Sequence, residues 1–220
     1  KSAYHQIEEK NNEILDSINY AKRIQSAILP PKNRIEELLP DSFIMYRPKD
    51  VVAGDFYWLE KKANKILFAA ADCTGHGVPG AMVSVVCNNG LNRSVREHDI
   101  TDPGKILDRT REIVLDEFGK SEEKVNDGMD IALVSLEYKD NVVLVEYAGA
   151  HNPFWVLPKG ETEMKEIKAD KQPIGQFRSQ SPFVTHQMQL KKGDIIYVFT
   201  DGYADQFGGD KGKKMKTVNF

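Results

Sequence analysis

At the start of the chain Ile7, Ile14, Ile18, Ala21, Ile24 and Ile28 recur at steps of three, four or seven, with charges and amides between them. That spacing predicts a helix over residues 5–29, stopped by Leu29-Pro30-Pro31. The apolar stripe is thin for so long a helix, closer to a coiled-coil seam than to a broad core face. It suits packing on its own domain as well as pairing with another helix. A second helical turn is expected around Arg34 to Leu39.

From Phe43 the pattern changes to strands. "VVAGDFYWLE" (51–60) and "KILFAAAD" (65–72) flank the polar "KKAN", which reads as a hairpin loop. Residues 81–97 are expected to be helical, with Met82, Val83, Val86 and Leu91 apolar. Asp102-Pro103 opens another helix, an N-cap acid followed by proline in the first turn, and Ile106, Leu107, Ile113 and Val114 carry it to Phe118-Gly119. Five strand-like runs follow: "DIALVSLEY", "NVVLVEYAG", "PFWVLP", "FVTHQMQL" and "DIIYVFTD". Lys139-Asp140-Asn141, Pro158-Lys159-Gly160 and Lys192-Gly193-Asp194 provide turns between most of them. Strands, then two helices, then antiparallel-looking strands with short links predict an α+β layered sandwich and not a doubly wound parallel sheet.

Composition narrows the classes. The 220 residues suffice for one sizeable domain, and a net charge of −3 gives no reason to expect nucleic acid or an anionic membrane surface. The two cysteines, Cys73 and Cys87, make no disulfide framework and no metal finger, which fits a reducing, cytoplasmic compartment. No apolar run approaches the roughly 18 residues that span a bilayer. The chain opens mid-pattern without a signal peptide, as a piece of a longer protein would.

Three acids carry the candidate chemistry. Asp55 sits in "VVAGDFYW", Asp72 closes "ILFAAAD", and Asp201 closes "IIYVFTDG". If the hairpin turns about Ala63-Asn64, Lys61 faces Ile66 and Asp55 faces Asp72, give or take one or two positions. Opposed Cβ atoms lie roughly 4.5–5.5 Å apart, and two carboxylates that close need a shared proton or a cation. A third acid at a strand end, with small residues beside each one, favours the cation. Oxygen ligands without histidine or thiolate at ligand spacing point to Mg²⁺ or Mn²⁺. Gly75-His76-Gly77-Val78-Pro79-Gly80 also fits the dinucleotide fingerprint G-x-G-x-x-G. Position argues against it: the acids about 20 residues on, Asp99 and Asp102, do not end a second strand, and Asp72 would repel a pyrophosphate.

"AGDFYWL", "ADCTGHGVPGAM", "YAGAHNPFWVL", "QPIG" and "LKKGDIIYVFTDGYADQF" occur in an order and spacing that resembles the PPM-type (type 2C) metal-dependent protein serine/threonine phosphatases, in the branch of stage II sporulation protein E and the sigma-regulator phosphatases. The resemblance covers roughly Ile44 to Gly209. It implies a four-layer αββα sandwich of two mainly antiparallel sheets flanked by helices. It also implies two Mn²⁺ or Mg²⁺ ions that activate a water to attack phosphoserine or phosphothreonine directly. By that resemblance Asp72 bridges both metals, the Cys73 backbone carbonyl binds one of them, and Asp55 and Asp201 bind the other. One further family aspartate, in a late "DD" motif, has no counterpart before the chain stops at Phe220. A domain truncated at its C-terminal end, lacking its final helix and strand, would bind metal weakly and turn over slowly.

The expected organisation is therefore residues 1–31 as a linker helix and 32–220 as the phosphatase domain. His76 and His151 are read as structural, His76 shaping the glycine turn; Cys87 and Met82 as core; Arg47 and Lys49 as either phosphate contacts or solvated charges. The resemblance implies a phosphorylated protein substrate such as an anti-sigma factor antagonist, an upstream sensor domain, and a homodimer through the N-terminal helix. It implies no nucleic acid and no membrane contact by this stretch, though missing N-terminal regions could attach the parent protein to a membrane. The contrasting expectation is a non-catalytic dimerisation or docking module with an incomplete metal site.

Overall fold

The computed structural model of the chain describes residues 3–120, 126–140, 142–208 and 212–216. The expected turn position Asn141, and both ends of the expected domain division at residues 1–2 and 217–220, lie outside them. Helix α1 (Ala3–Ile28) ends before the paired prolines, and a short α2 (Lys32–Leu38) follows. Only the last third of α1 packs. Gln25 is buried, while Ile7, Ile14 and Ile24 are exposed.

Strands β1 (Phe56–Lys62) and β2 (Lys65–Cys73) form the hairpin with Lys61 opposite Ile66 and Phe56 opposite Ala71. Ala63 closes it in the left-handed region at φ +53°. The first strand is shorter than expected. Residues 51–55 bend away from the ladder because the chain at Gly75 crosses there: a Cβ on Gly54 would lie 2.6 Å from the Gly75 carbonyl oxygen.

Helix α3 (Gly77–Arg96) begins inside the glycine-rich turn, four residues before its predicted start. Its buried face runs through Gly80, Ser84, Cys87, Leu91 and Ser94, steps of three or four that leave Met82 on the outer side. Met82 is 63% exposed, so its assignment to the core is corrected, whereas Cys87 is fully buried. Helix α4 (Pro103–Gly119) starts where Asp102-Pro103 placed it. The Asp102 carboxylate accepts from Lys105 N at 2.9 Å and from the Thr185 hydroxyl at 2.8 Å.

The remaining strands are β3 (Met129–Lys139), β4 (Val142–Ala150), β5 (Phe154–Leu157), β6 (Lys165–Ile167), β7 (His186–Leu190), β8 (Ile195–Tyr197), β9 (Phe207–Gly208) and β10 (Lys213–Lys214). An antiparallel five-stranded sheet has the order β1-β2-β3-β4-β7, a three-stranded sheet β6-β5-β8, and a small ribbon β10-β9. Alternation along β3 builds two cores. Ile131 and Leu133 face α3 and α4 with Cys87, Leu91 and Ile106. Ala132, Val134 and Leu136 face the second sheet with Phe154 and Val156. Tyr147 stacks on Phe154 there, ring centroids 5.2 Å apart, and its hydroxyl donates to the Asn152 carbonyl at 2.7 Å. Helices on one sheet and that sheet on a second give an α+β sandwich.

Two predicted strands are cut short. In 183–190 the ladder begins only at His186, because side-chain carboxylates take the preceding N–H groups: Phe183 N donates to Asp108 at 3.1 Å and Val184 N to Asp170 at 2.9 Å. In 194–201 it stops at Tyr197, opposite Trp155 near the start of β5. Strands β6, β9 and β10 were not anticipated; they are two or three residues long, too short for a periodic signal.

Candidate metal centre

One end of the five-stranded sheet collects the acids. Asp55 immediately precedes β1, Asp72 is the penultimate residue of β2, and the turn that Asp201 opens comes back over them. The carboxyl of Asp72 lies close enough to those of Asp55 and Asp201 for each to act on its charge. The carboxyls of residues 55, 72 and 201 are thus brought into one cluster, although Asp55 and Asp201 flank the ladders and do not sit within strands.

Burial, then the charges of Asp55 and Asp201, push the Asp72 carboxyl up from 3.8 to about 8. Asp201 is also raised, first by burial and then by Asp205. The three carboxyls therefore titrate as a coupled group that holds a proton above the usual carboxylate range. In the cation-free protein the native state holds that proton more tightly than the unfolded chain between pH ~4 and ~8, so stability falls as pH rises through that window. Thermal melts in a chelator should show Tm declining from pH 5 to pH 8.5, and Asp72→Asn should flatten the decline.

Fixed contacts support the acids. The Thr200 hydroxyl donates to Asp55 Oδ2 at 2.7 Å. The Tyr46 hydroxyl donates to the Asp55 carbonyl at 3.1 Å, and burial, followed by the Asp55 charge, pushes that phenol up to about 12. Gln25 bonds Ala53 through both ends of its amide, Nε2 to the carbonyl at 2.5 Å and Oε1 from the N–H at 3.1 Å, which ties α1 to the segment before Asp55. Sequence reasoning missed Thr200, Tyr46 and Gln25. Thr200 stands beside Asp201 in "FTDG" and carried a local signal; the other two carried none.

Cys73 turns its thiol into the helix-side core beside Cys87, where burial pushes it well up, and a cysteine nucleophile is thereby removed from the site. Its carbonyl oxygen lies against Gly54, 2.8 Å from where a Cβ would stand. His76 occupies the N-cap position of α3 without capping it; its Nδ1 lies 3.2 Å from Asp50 Oδ2 and the ring is 85% exposed. Arg47 and Lys49 are exposed on the approach to Asp55 in sequence. A cleft of about 280 Å³ adjoins Asp72, lined also by Thr74, Gly75, Asn126, Asp130, Pro173 and Gln176.

Among the described residues no three His, Cys, Asp or Glu side chains already stand as a metal cage. The three carboxyls crowd one another, and a cation bound among them would relieve that repulsion. The donor set fits a hard divalent ion: oxygen only, crowded like charge, and a backbone carbonyl kept clear of side chains by Gly54.

The family model described as Stage II sporulation protein E (SpoIIE) matches residues 62–219. Phosphoserine phosphatase RsbU of Bacillus subtilis (strain 168) is 26% identical over 194 residues, covering 88% of this chain and 55% of that protein; the chain spans about half the length of this relative. The SiaA-PP2C domain of Pseudomonas aeruginosa superposes with a TM-score of 0.82 at 30% identity, covering 96% of this chain and 81% of that one. The PP2C phosphatase domain of SpoIIE from Bacillus subtilis is similar in fold, with a TM-score of 0.53 at 19% identity over 70% of this chain and 43% of that one. A family match over most of the chain, on the fold that the element order required, identifies the chain as a member of the SpoIIE family of PP2C-type phosphatase domains.

Proposed function

We propose that this chain is a metal-dependent protein phosphatase that hydrolyses phosphoserine or phosphothreonine on a protein partner. The observation that carries the reading is the Asp72 carboxyl held against Asp55 and Asp201 at the rim of a cleft, in a member of this family. Asp55, Asp72, Asp201 and the Cys73 carbonyl would hold Mn²⁺ or Mg²⁺. Bound there, such ions supply charge neutralisation for a phosphoryl group and a water whose pKa is lowered toward ~7.

The chain's own residues do the rest. The coupled carboxyls give up their proton as the site loads. Thr200 fixes the rotamer of Asp55 by donating to one oxygen, which leaves the other free to act as a ligand. Gly54 keeps a side chain away from the Cys73 carbonyl, and Gly80 lets the start of α3 close against Gly75 and Gly54. The cleft beside Asp72 admits a phosphorylated side chain. With both thiols in the core, direct attack by water is the route consistent with the site.

The name of the RsbU relative, a phosphoserine phosphatase, supports phosphoserine as the substrate class. Our reading extends this to a cytoplasmic partner-switching pathway with an anti-sigma factor antagonist as substrate. Among the described residues no helix is long and apolar enough to cross a membrane. The exposed Ile7, Ile14 and Ile24 on α1 support pairing of that helix with a second copy, downstream of a sensor. The test is hydrolysis of p-nitrophenyl phosphate at millimolar Mn²⁺. Turnover that EDTA abolishes supports the enzyme; no turnover with Mn²⁺ or Mg²⁺ favours the docking module instead.

A further inference from the structure

The strand order puts more than the three acids along this edge. Across β1, β2, β3 and β4 the residues at the same end are Asp55, Asp72, Asp130 and His151 in turn. Asp130 is the direct partner of Asp72 in the β2–β3 register. Paired residues share a face, with Cβ atoms roughly 4.5–5.5 Å apart. Asp130 also lines the cleft with Asp72. One strand further on, His151 Nδ1 lies 2.8 Å from Asp130 Oδ1. A carboxylate only accepts, so Nδ1 carries a proton and Nε2 is the nitrogen left to face outward. Nε2 makes no hydrogen bond to a described residue. Ring and carboxylate are 39% and 38% exposed, open to an incoming substrate.

The backbone at His151 is held in an uncommon state. Its φ is +57°, in the left-handed region that few non-glycine residues adopt. Neighbouring bonds over-determine it. His151 N donates to the Asp170 carbonyl at 2.9 Å, Asn152 N to the Ala150 carbonyl at 2.6 Å, and the Tyr147 hydroxyl to the Asn152 carbonyl at 2.7 Å. Gly149 leaves room for that hydroxyl, since a Cβ there would lie 2.1 Å from it. These contacts fix the backbone that carries the His151 side chain next to Asp130, which lines the cleft.

We propose that His151, oriented by Asp130, donates the proton to the seryl or threonyl oxygen that leaves the substrate phosphorus. The proposal rests on the phosphatase reading above and departs from the structural role expected for His151. In the step, a water oxygen forms its bond to phosphorus as the bond from phosphorus to the side-chain oxygen breaks. The departing oxygen takes the Nε2 proton of the doubly protonated ring, and the electron pair of the broken bond becomes its O–H bond. The attacking water loses a proton to solvent, and the ring regains one from solvent, so nothing is consumed but water. Asp130 is a positioning residue: its carboxylate keeps Nδ1 inward throughout.

The prediction concerns leaving groups. An alkoxide leaves poorly without a proton, whereas p-nitrophenolate needs none. His151→Asn suits the test because asparagine tolerates left-handed backbone. With Mn²⁺ it should lower kcat on a phosphoserine peptide by about 100-fold or more. The fall on p-nitrophenyl phosphate should be at least about tenfold smaller, since only the proton donation of this class is lost. Asp130→Asn should fall in the same direction, by about tenfold on the peptide, the scale of lost orienting contacts. It carries the comparison if His151→Asn melts early. Histidine side-chain ¹⁵N spectra of the metal-free protein should show His151 protonated at Nδ1, a preference that Asp130→Asn removes. Equal falls on both substrates, no fall on either, or a ring protonated only at Nε2 overturns the proposal. A wild-type protein that hydrolyses neither substrate overturns the phosphatase reading and this step with it.

Discussion

Asparagine in place of Asp72 should lower Mn²⁺-dependent turnover of p-nitrophenyl phosphate by about a thousandfold or more, a rise of about 4 kcal/mol in the barrier. Asp72 is the member of the trio that meets both other carboxyls. A neutral amide of the same size keeps an oxygen in place but removes the charge that would hold two ions together. The same substitution has the opposite effect on the empty fold. Above pH 8 the wild-type site confines three carboxylates, and Asn removes one of them. In a chelator at pH 8.5 the variant should melt higher than the wild type, by about 2–4 °C for each kcal/mol relieved. Lost turnover with raised cation-free stability separates a ligand from a structural acid, whose loss would lower both.

Gly54→Ala should cost about 2–3 kcal/mol and lower Tm by roughly 5–10 °C. Its φ is not in the left-handed region, so the penalty is steric. The new Cβ would lie 2.6 Å from the Gly75 carbonyl oxygen and 2.8 Å from that of Cys73. Both are backbone atoms that cannot rotate aside, and displacing the second moves a candidate ligand. Gly80 reinforces the knot from the other side, where a Cβ would lie 2.4 Å from the Gly75 oxygen. Gly208, with nothing within 4 Å of its Cβ position, is the control; Gly208→Ala should stay within about 0.5 kcal/mol of wild type. Thermal melts and turnover of the two variants decide whether the glycines matter through close approach at the site.

The local code was legible where one segment decided its own fate. The hairpin register followed from the polar "KKAN" and the two apolar runs, and the start of α4 from Asp102-Pro103. The grouping of Asp55 with Asp72 followed from that register. Illegible were the contacts made at long range. Thr200 reaches Asp55 across 145 positions, and Asp108 and Asp170 end a strand that hydrophobicity alone would have continued to Phe183. Met82 looked like core because its neighbours are apolar; the helix phase that turns it outward was set by Gly80 lying against the chain at Gly54 and Gly75. Asp130 drew no attention in "GMDIALV", since only the β2–β3 register makes it the neighbour of Asp72.

The most direct test of the central claim, that Asp55, Asp72 and Asp201 form a divalent-cation site, is calorimetric titration of Mn²⁺ into the metal-free protein at pH 7 in buffers of different ionisation heat. The expected result is saturable binding accompanied by proton release, because the coupled carboxyls still hold a proton at that pH, with affinity reduced by about 100-fold or more in Asp72→Asn, the loss of about 2.7 kcal/mol expected for a primary ligand. Wild-type protein that takes up no Mn²⁺, or an Asp72→Asn variant that binds it equally well, would contradict the claim.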